Sequence, residues 1–204
     1  MNEKLLSQFD RIADGLANDG ISVVDDFLSK EEVTSIVNTD EFKNGMLLFK
    51  KAGIGKLQEK QINESIRGDY IQWIDNANAV PPIHTYLERL SQLTTFLNQS
   101  LFLSLKDAEV HMTIYPRGSL YKRHLDQFKK NDHRKLSVIC YLNESWEENE
   151  GGQLRVYFPT GLKDFFPVAG RLVCFRSDLL EHEVLAATRE RLSLTGWLLD
   201  THIN

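Results

Sequence analysis

Three residues of this sequence have the types and the spacing of a metal site. His124 and Asp126 stand two positions apart, and a second histidine, His182, follows far downstream. Side chains of a β-strand alternate between its faces, so a strand through His124 and Asp126 would point both toward one side. Two imidazoles and one carboxylate on one face of an Fe(II) ion leave its other coordination positions open for reactants. A surface histidine beside a turn aspartate is the alternative interpretation.

An arginine downstream favours the metal site over this alternative. Arg191 lies nine residues after His182, at the start of the apolar run Leu192–Leu199. Its planar guanidinium can bind a carboxylate through two parallel hydrogen bonds, although a surface ion pair would use the same geometry. Histidine-x-aspartate, histidine and arginine in this order supply three metal ligands and an anchor for a dicarboxylic cosubstrate. Arg189, two residues earlier, is the nearest alternative anchor.

The composition is that of an ordinary globular protein. Apolar residues make up 42% and charged residues 26% of the 204 residues, enough for one domain with a substantial core. The net charge of −5 argues against a nucleic-acid partner. No run is apolar and long enough to span a membrane, and the first residues lack the apolar core of a signal peptide. We therefore expect a cytoplasmic protein in which Cys140 and Cys174 are buried free thiols, not a disulfide or metal ligands.

The first half of the chain is predicted to be mainly helical. Apolar residues at three-to-four spacing before Gly20 indicate an amphipathic helix with a glycine stop. Ser29 begins a capping-box sequence, and Pro81-Pro82 favours a helix start. The glycine-containing, charged segment 46–65 is interpreted either as a solvated loop or as a lid. The predicted elements are helices at 4–19, from Ser29 through Val37 and at 83–100, and strands at 21–24 and 66–74.

The second half is predicted to consist of short strands separated by turns. The predicted strands are 110–115, 120–125, 136–142, 153–158, 170–175, 183–185 and 192–199. Many short strands at such intervals favour an antiparallel sandwich or barrel. We therefore expect an α+β fold in one domain, residues 1–204. Its helical part would cover about 1–100 and pack against a jelly-roll core of about 107–200.

Several short motifs lie between about residue 60 and residue 200. They are Ile66-Arg67-Gly68-Asp69, Tyr115-Pro116 before His124-Leu125-Asp126, Tyr141-Leu142-Asn143, Gly151-Gly152-Gln153-Leu154-Arg155, His182-Glu183-Val184 and Arg191-Leu192-Ser193-Leu194-Thr195-Gly196-Trp197. In these motifs the sequence resembles the prolyl hydroxylase branch of the 2-oxoglutarate- and Fe(II)-dependent dioxygenases. It is similar in particular to the animal oxygen-sensing prolyl hydroxylases and their bacterial relatives.

The resemblance implies a double-stranded β-helix and assigns roles to the matching positions. These roles are Fe(II) ligation by His124, Asp126 and His182, binding of the far carboxylate of 2-oxoglutarate by Arg191 and Tyr141, and a place in the pocket wall for Tyr115. For both tyrosines, a half-buried strand position without such a role is the alternative. The implied cofactors are Fe(II), 2-oxoglutarate and O2, with ascorbate as an additional reductant.

The resemblance also implies a protein or peptide substrate. A prolyl residue would be hydroxylated while 2-oxoglutarate is converted to succinate and CO2. Segment 46–65 would fold over the peptide, hinged near Gly45 and Gly68, and the residues bordering the peptide would be Arg67, Asp69 and Arg134. Structural ion pairs are the alternative for these three, between Arg67 and Asp132 or between Asp69 and Arg134. Trp73 is expected in the core, with a platform for the substrate as the alternative.

The target protein is open at this point. The resemblance makes a translation factor such as elongation factor Tu, or a ribosomal protein, a reasonable expectation, and we expect a monomer with no nucleic-acid or membrane partner. The same cofactor chemistry on a non-prolyl or small-molecule substrate is one alternative. A jelly-roll binding module without catalysis is the other, and the joint presence of the three ligand residues and Arg191 argues against it.

Overall fold

The computed structural model describes residues 3–53, 66–127 and 132–202, and the elements below are those of these ranges. The helices are α1 (Glu3–Asp19), α2 (Lys30–Val37), α3 (Asp40–Lys43), α4 (Gly45–Leu48) and α5 (Pro81–Leu101), with a 3₁₀ helix at Glu148–Glu150. The strands are β1 (Ile21–Val24), β2 (Lys50–Lys51), β3 (Tyr70–Trp73), β4 (Asp107–Tyr115), β5 (Tyr121–His124), β6 (Arg134–Tyr141), β7 (Leu154–Phe158), β8 (Gly161–Phe165), β9 (Leu172–Arg176), β10 (His182–Val184) and β11 (Arg191–Leu199).

The three predicted helices, α1, α2 and α5, are present with the predicted end signals, whereas the one-turn helices α3 and α4 were not predicted. The hydroxyl of Ser29 accepts a hydrogen bond from the backbone N–H of Glu32, and the Glu32 carboxylate accepts one from the backbone N–H of Ser29, which completes the capping box of α2. Helix α5 begins with Pro81 at its first position, where a missing N–H costs nothing. Gly20 follows α1 with φ +72°, a conformation that glycine adopts without strain.

Two antiparallel sheets form the core of the molecule. The large sheet has the strand order β1-β9-β6-β11-β4-β3-β2, and the small sheet has the order β5-β10-β7-β8. From β4 to β11 the chain alternates between the two sheets in the manner of a jelly roll, except at the β7–β8 hairpin, which stays in the small sheet. Strands β1, β2 and β3 extend the large sheet. This arrangement confirms the predicted α+β fold of double-stranded β-helix type.

The two faces of the large sheet carry different contacts. On β6, Val138 and Cys140 belong to the apolar cluster that also contains the buried residues of α1 and α5, whereas Ile139 and Tyr141 belong to the cluster shared with the small sheet. This alternation follows the two-residue period of a strand. The helices thus cover one face of the large sheet. Its other face lines the space between the two sheets, where polar side chains at alternate strand positions meet.

Several predictions about local structure were wrong in detail. Strand β3 covers only the second half of the predicted strand 66–74, and residues 66–69 instead run beside β5, joined to it by a bridge between Arg67 and Tyr121. Trp73 is 49% exposed, so its expected place in the core is incorrect. Strand β8 was not predicted, because Gly161–Phe165 carries mixed polar and apolar residues in a hairpin with β7.

The segment 46–65 is described only in its first part. Residues 45–48 form helix α4, and β2 pairs with β3 at the edge of the large sheet, while residues 54–65 lie outside the described residues. The expected hinge positions are closely packed. A Cβ atom at Gly45 would lie 2.3 Å from Ile114 Cδ1, and one at Gly68 would lie 2.7 Å from Ser119 Cβ. Glycine is needed at both positions for close approach to a neighbouring residue.

Two further expectations concern the chain as a whole. Cys140 and Cys174 are buried free thiols, as predicted, and burial raises the pKa of Cys174 to about 12. Burial raises the pKa of the Cys140 thiol as well. None of the helices in the described ranges has the length and apolar character needed to cross a membrane.

Candidate active site

The two histidines and the aspartate of the sequence pattern meet at one end of the small sheet. His124 on β5 and His182 on β10 are direct partners in the strand register. Asp126 lies 3.4 Å (Oδ1) from His124 Nε2 and 3.6 Å (Oδ2) from His182 Nε2. One ligand atom from each residue lies within 4.8 Å of the other two, which is the separation expected around a single ion about 2 Å from each ligand.

Asp126 reaches this position in a way that strand alternation does not explain. Strand β5 ends at His124, and Asp126 stands in a bend two residues later. Its carboxylate accepts a hydrogen bond of 2.6 Å from the Ser137 hydroxyl, which is itself 2.8 Å from the hydroxyl of Ser177. Because the Ser137 proton is directed to Asp126, the Ser177 hydroxyl is the donor in the second bond. These two buried hydrogen bonds orient the carboxylate.

Backbone carbonyls orient the two imidazoles. His124 Nδ1 lies 2.7 Å from the carbonyl oxygen of Lys122, and His182 Nδ1 lies 3.1 Å from that of Leu180. A carbonyl oxygen can only accept, so each Nδ1 carries the proton and each Nε2 keeps a free lone pair. Both free nitrogens belong to the three-residue cluster. Such backbone bonds are typical of histidines that bind metals through Nε2.

The protonation states also suit a cation. Burial, together with the nearby His124, lowers the pKa of His182 to about 4, so its imidazole is neutral at neutral pH. Burial opposes ionisation of Asp126, but His182, His124 and the Ser137 hydroxyl together hold the pKa of its carboxyl well below the usual range. A neutral imidazole at His182 and an ionised carboxylate at Asp126 are the forms that bind metal without first releasing a proton.

Arg191 is a buried cation whose nitrogens are not fully paired. It is the first residue of β11, is 1% exposed, and its guanidinium carbon lies 5.0 Å and 4.9 Å from the ring centroids of Tyr115 and Tyr141. Its Nε and Nη2 atoms and the Tyr141 hydroxyl have no hydrogen-bond partner among the described residues. Burial raises the pKa of Tyr141, although the Arg191 charge opposes the shift, so the hydroxyl remains a donor. Orphaned donors around a buried cation fit a carboxylate.

The metal cluster and Arg191 line the same cavity, whereas Tyr141 is reached through its contact with the Arg191 guanidinium, and Arg191 and Tyr141 together are called the carboxylate cradle below. Its wall includes His124, Asp126, His182, Tyr115 and Arg191. The metal ligands belong to β5, β10 and the bend after β5, whereas Arg191 and Tyr141 belong to the large sheet. A ligand that contacts both parts therefore spans the space between the sheets. A small dicarboxylic acid that chelates a metal at one end fits this division.

Arg67 and Asp69 form another part of the cavity wall. Arg67 Nε and Nη2 donate bonds of 2.7 and 2.9 Å to the two carboxylate oxygens of Asp69. The Arg67 guanidinium lies 4.6 Å from the ring centroid of Tyr121, and this ring stacks on His124 at 3.6 Å. The segment 66–69 therefore supports a metal-ligand residue as well as bordering the cavity.

The ion pairs considered for these residues from the sequence were wrong. Arg67 pairs with Asp69, so Arg67 does not take Asp132 as its partner and Asp69 does not take Arg134. Arg134 donates to Glu109 at 2.7 Å, and its guanidinium carbon lies 3.5 Å from the ring centroid of Trp197. Arg134 thus packs behind Trp197, which itself lines the cavity.

Sequence reasoning missed a row of side chains between Arg191 and the outer part of the cavity. These side chains occupy alternate positions of the neighbouring strands β4 and β11, and those lining the cavity are His111, Thr113, Thr195 and Trp197. The signal was available, because residues at even spacing from Tyr115 and Arg191 share the inward face. Trp73 adds an edge contact, with its ring 4.9 Å from that of His111.

Comparison with known proteins gives consistent matches. Residues 110–199 match the family model described as the 2OG-Fe(II) oxygenase superfamily. The chain is 32% identical to Egl nine homolog 1 of Homo sapiens over an alignment of 196 positions, and the match covers 89% of this chain and 44% of that protein. The chain therefore spans less than half the length of this relative.

Two solved structures resemble the whole fold. A prolyl-4-hydroxylase from Pseudomonas putida is 40% identical, with a TM-score of 0.85, and the match covers 95% of this chain and 100% of that one. A prolyl hydroxylase from Trichoplax adhaerens, in complex with a peptide fragment of the hypoxia inducible factor oxygen degradation domain, is 25% identical. Its TM-score is also 0.85, and the match covers 97% of this chain and 91% of that one.

Proposed function

The chain belongs to the prolyl hydroxylase family of the 2OG-Fe(II) oxygenase superfamily, and on this premise we propose that it hydroxylates a prolyl residue of a target protein. The observation that carries the proposal is the pairing of two features in one cavity. A three-residue metal cluster with free imidazole nitrogens faces a buried arginine whose donors have no partner. The cavity is thus equipped for a metal and for a dicarboxylate together.

His124 Nε2, His182 Nε2 and a carboxylate oxygen of Asp126 would hold Fe(II). Three protein ligands leave positions for 2-oxoglutarate and O2. When bound, this cofactor set supplies the oxidation, in which 2-oxoglutarate becomes succinate and CO2 and one oxygen atom enters a C–H bond of the substrate. The protein's task is to place these reactants and to keep water away from them.

Arg191 and Tyr141 would bind the far carboxylate of 2-oxoglutarate. The guanidinium offers Nε and Nη2, and the Tyr141 hydroxyl offers a third donor. Since all three are buried, their bonds to an anion form in a region of low dielectric, where they are strong. Tyr115, on the other side of the guanidinium, limits its movement. Ascorbate remains an expected additional reductant, for which the cavity has no assigned residue.

A protein or peptide is the substrate class that we propose. The Trichoplax adhaerens relative is in complex with a peptide, which supports a peptide-binding mode in this family. Arg67 and Asp69 line the cavity, the half-exposed Trp73 contacts the cavity residue His111, and Arg134 lies behind Trp197. Arg134 would therefore act through Trp197. A prolyl residue of elongation factor Tu or of a ribosomal protein is the target we would test first.

We further propose that the chain acts as a monomer in the cytoplasm. The two buried free thiols, Cys140 and Cys174, support a reducing compartment, because they need no partner in the fold. Light scattering on the purified protein would test the monomer. Fractionation of cells that express the chain would test its location.

The experiment that tests the function measures mass and succinate together. The purified chain with Fe(II), 2-oxoglutarate, ascorbate and air should add 16 Da to a proline-containing target, located at proline by fragmentation, with one succinate per hydroxylation. The variant His182→Ala should yield neither product. Succinate formation with oxidation at a residue other than proline, or of a small molecule only, would replace the proposed substrate class. No iron-dependent succinate from any mixture would indicate a binding module.

A further inference from the structure

His111 is a buried polar residue in the cavity wall that the chemistry above does not use. It is 1% exposed, lies on the inward face of β4 and has Thr195 of β11 as its register partner. Its Nδ1 is 2.8 Å from the Thr113 hydroxyl, but its Nε2 is buried and has no hydrogen-bond partner among the described residues. An unpaired buried nitrogen of this kind destabilises the folded protein, so the protein gains by pairing it.

His111 forms an aromatic cluster with Trp73 and Trp197, and this cluster contains a second unpaired nitrogen. The Nε1 atom of Trp197 is buried and also lacks a partner among the described residues. The His111 ring centroid lies 5.6 Å from the ring of Trp197 and 4.9 Å from the ring of Trp73, which is half exposed. The cluster therefore extends from the cavity toward solvent. Both unpaired nitrogens belong to residues that line the cavity.

The chemistry of these atoms selects the kind of group that would bind. An indole N–H can only donate, so the partner of Trp197 Nε1 must be an acceptor. Burial, with a contribution from the Arg67 charge, lowers the pKa of His111 to about 3, and the ring is therefore neutral with a single N–H. If the Thr113 hydroxyl donates to Nδ1, the single ring proton of His111 resides on Nε2. His111 then also becomes a donor toward the cavity.

We propose that the Nε2–H of His111 donates a hydrogen bond to a main-chain carbonyl oxygen of the bound peptide and so positions the target proline. A peptide carbonyl is the acceptor that every prolyl substrate carries on each side of the ring. His111 is thus a positioning and specificity residue, separate from the metal ligands and from the carboxylate cradle. This inference rests on the proposed prolyl hydroxylation and names the group that holds its substrate.

Two amide substitutions separate the nitrogens of the imidazole. In His111→Gln the amide nitrogen takes the place of the Nε2–H donor, and in His111→Asn the amide oxygen takes the place of the accepting Nδ1. The assay uses a proline-containing peptide that the wild-type protein oxidises by 16 Da. We expect His111→Asn and His111→Leu to raise the KM for this peptide about tenfold, the size of one lost hydrogen bond, with a smaller change in kcat. His111→Gln should stay close to wild type.

The opposite ranking would overturn the proposal. If His111→Asn behaves like wild type and His111→Gln does not, the important bond is the structural one to Thr113. Equal peptide KM values in all three variants would mean that Nε2 contacts no substrate. Ser22→Ala, at a buried serine that donates to the carbonyl of Arg11, serves as the control for removing a buried hydrogen bond elsewhere.

A second measurement does not depend on turnover. The protein, loaded with Zn(II) in place of Fe(II) and with 2-oxoglutarate, is labelled with ¹⁵N-histidine and titrated with N-acetyl-proline-N-methylamide. We expect His111 to be protonated at Nε2, and expect this signal to shift in a saturable way. A proton on Nδ1, or no shift, would refute the proposal and leave an internal water as the partner. If no peptide is ever oxidised, the proposed function fails, and this titration alone decides the role of His111.

Discussion

At the scale of single residues, the metal cluster depends on how Asp126 is held. It is the ligand residue that carries a negative charge, and it lies in a bend where the backbone alone does not orient its side chain. The hydroxyls of Ser137 and Ser177 supply that orientation from β6 and from the residue after β9. The two histidines obtain theirs from backbone carbonyls, which no side-chain substitution can remove. The aspartate is therefore the most sensitive ligand.

Replacing Ser137 should weaken metal binding without touching a ligand. In Ser137→Ala the carboxylate loses its orienting donor, and we expect the Fe(II) affinity to fall about 10–100-fold, the usual range for such outer partners. Anaerobic titration with Fe(II) or Mn(II) measures the change. Ser22→Ala removes a buried serine hydroxyl far from the cavity and is the matched control. Equal affinities in the two variants would show that the bend holds Asp126 without help.

Arg191 should control binding of the cosubstrate and not of the metal. In Arg191→Leu the far carboxylate loses two charged hydrogen bonds, and we expect the KM for 2-oxoglutarate to rise about 100-fold or more. The Fe(II) affinity should change far less, because Arg191 belongs to the opposite sheet. Steady-state kinetics and metal titration measure the two effects separately.

The neighbouring arginine provides the control for this substitution. Arg189 is bound to the carbonyl of Glu144 and to the carboxylate of Glu150 near the surface. In Arg189→Leu the KM for 2-oxoglutarate should be unchanged. A large rise there, with a normal constant in Arg191→Leu, would transfer the anchor to Arg189.

At the scale of elements, the segment 66–69 stabilises strand β5. The carbonyl of Ile66 accepts from Lys122 N–H, and Gly68 N–H donates to the carbonyl of Leu120, so this segment covers the free edge of β5. Arg67 then extends over Tyr121, and Tyr121 stacks on His124. The packing places a chain of contacts between the Arg67–Asp69 ion pair and a metal-ligand residue.

Breaking this ion pair should be costly. The side chain of Asp69 is fully buried and that of Arg67 is 13% exposed. In Asp69→Asn the arginine keeps its charge without a carboxylate, and we expect the free energy of unfolding to fall by about 3 kcal/mol. Urea unfolding with an unchanged m-value measures this loss.

A second ion pair of the same geometry serves as the control. Arg155 donates two bonds of 2.8 Å to Asp164 across β7 and β8, but these side chains are 29% and 26% exposed. In Asp164→Asn we expect a loss below about 1 kcal/mol, because water replaces the missing partner. Similar losses in the two variants would mean that burial of the Arg67–Asp69 pair does not matter for stability.

At the scale of the whole molecule, the cosubstrate would connect the two sheets. Metal ligands come from the small sheet and the bend that follows β5, and the carboxylate cradle comes from the large sheet. A molecule of 2-oxoglutarate bound to both would contribute to the stability of the fold as well as to the reaction. The apolar cluster shared by the sheets continues this connection beyond the cavity.

Ligand removal should therefore lower thermal stability in two steps. A ligand at 100 times its Kd stabilises the folded state by about 2.7 kcal/mol, so metal and 2-oxoglutarate should each raise Tm. We expect 2-oxoglutarate to act strongly only after the metal, since chelation joins its two contacts. Thermal unfolding with and without a chelator measures both steps. In Asp126→Ala both increases in Tm should disappear. A full increase in Tm with 2-oxoglutarate in the absence of metal would contradict the bridging arrangement.

The sequence by itself determined the features that depend on neighbouring residues. The capping box at Ser29, the proline start of α5 and the glycine after α1 set the helix ends locally. The succession of short strands separated by turns indicated a jelly roll. The order of histidine, aspartate, histidine and arginine indicated the chemistry, because few functions other than metal and carboxylate binding need these four side chains in one core.

Only the tertiary structure decided how the site is held and what surrounds it. Asp126 is oriented by serines from distant elements, Arg67 selects Asp69 as its partner, and Trp73 is half exposed because β3 lies near the edge of the large sheet. His111 lines the cavity because β4 pairs with β11 in one register. Strand register and burial depend on contacts between residues far apart in the chain, and a shift of one position in β4 would turn His111 to the other face.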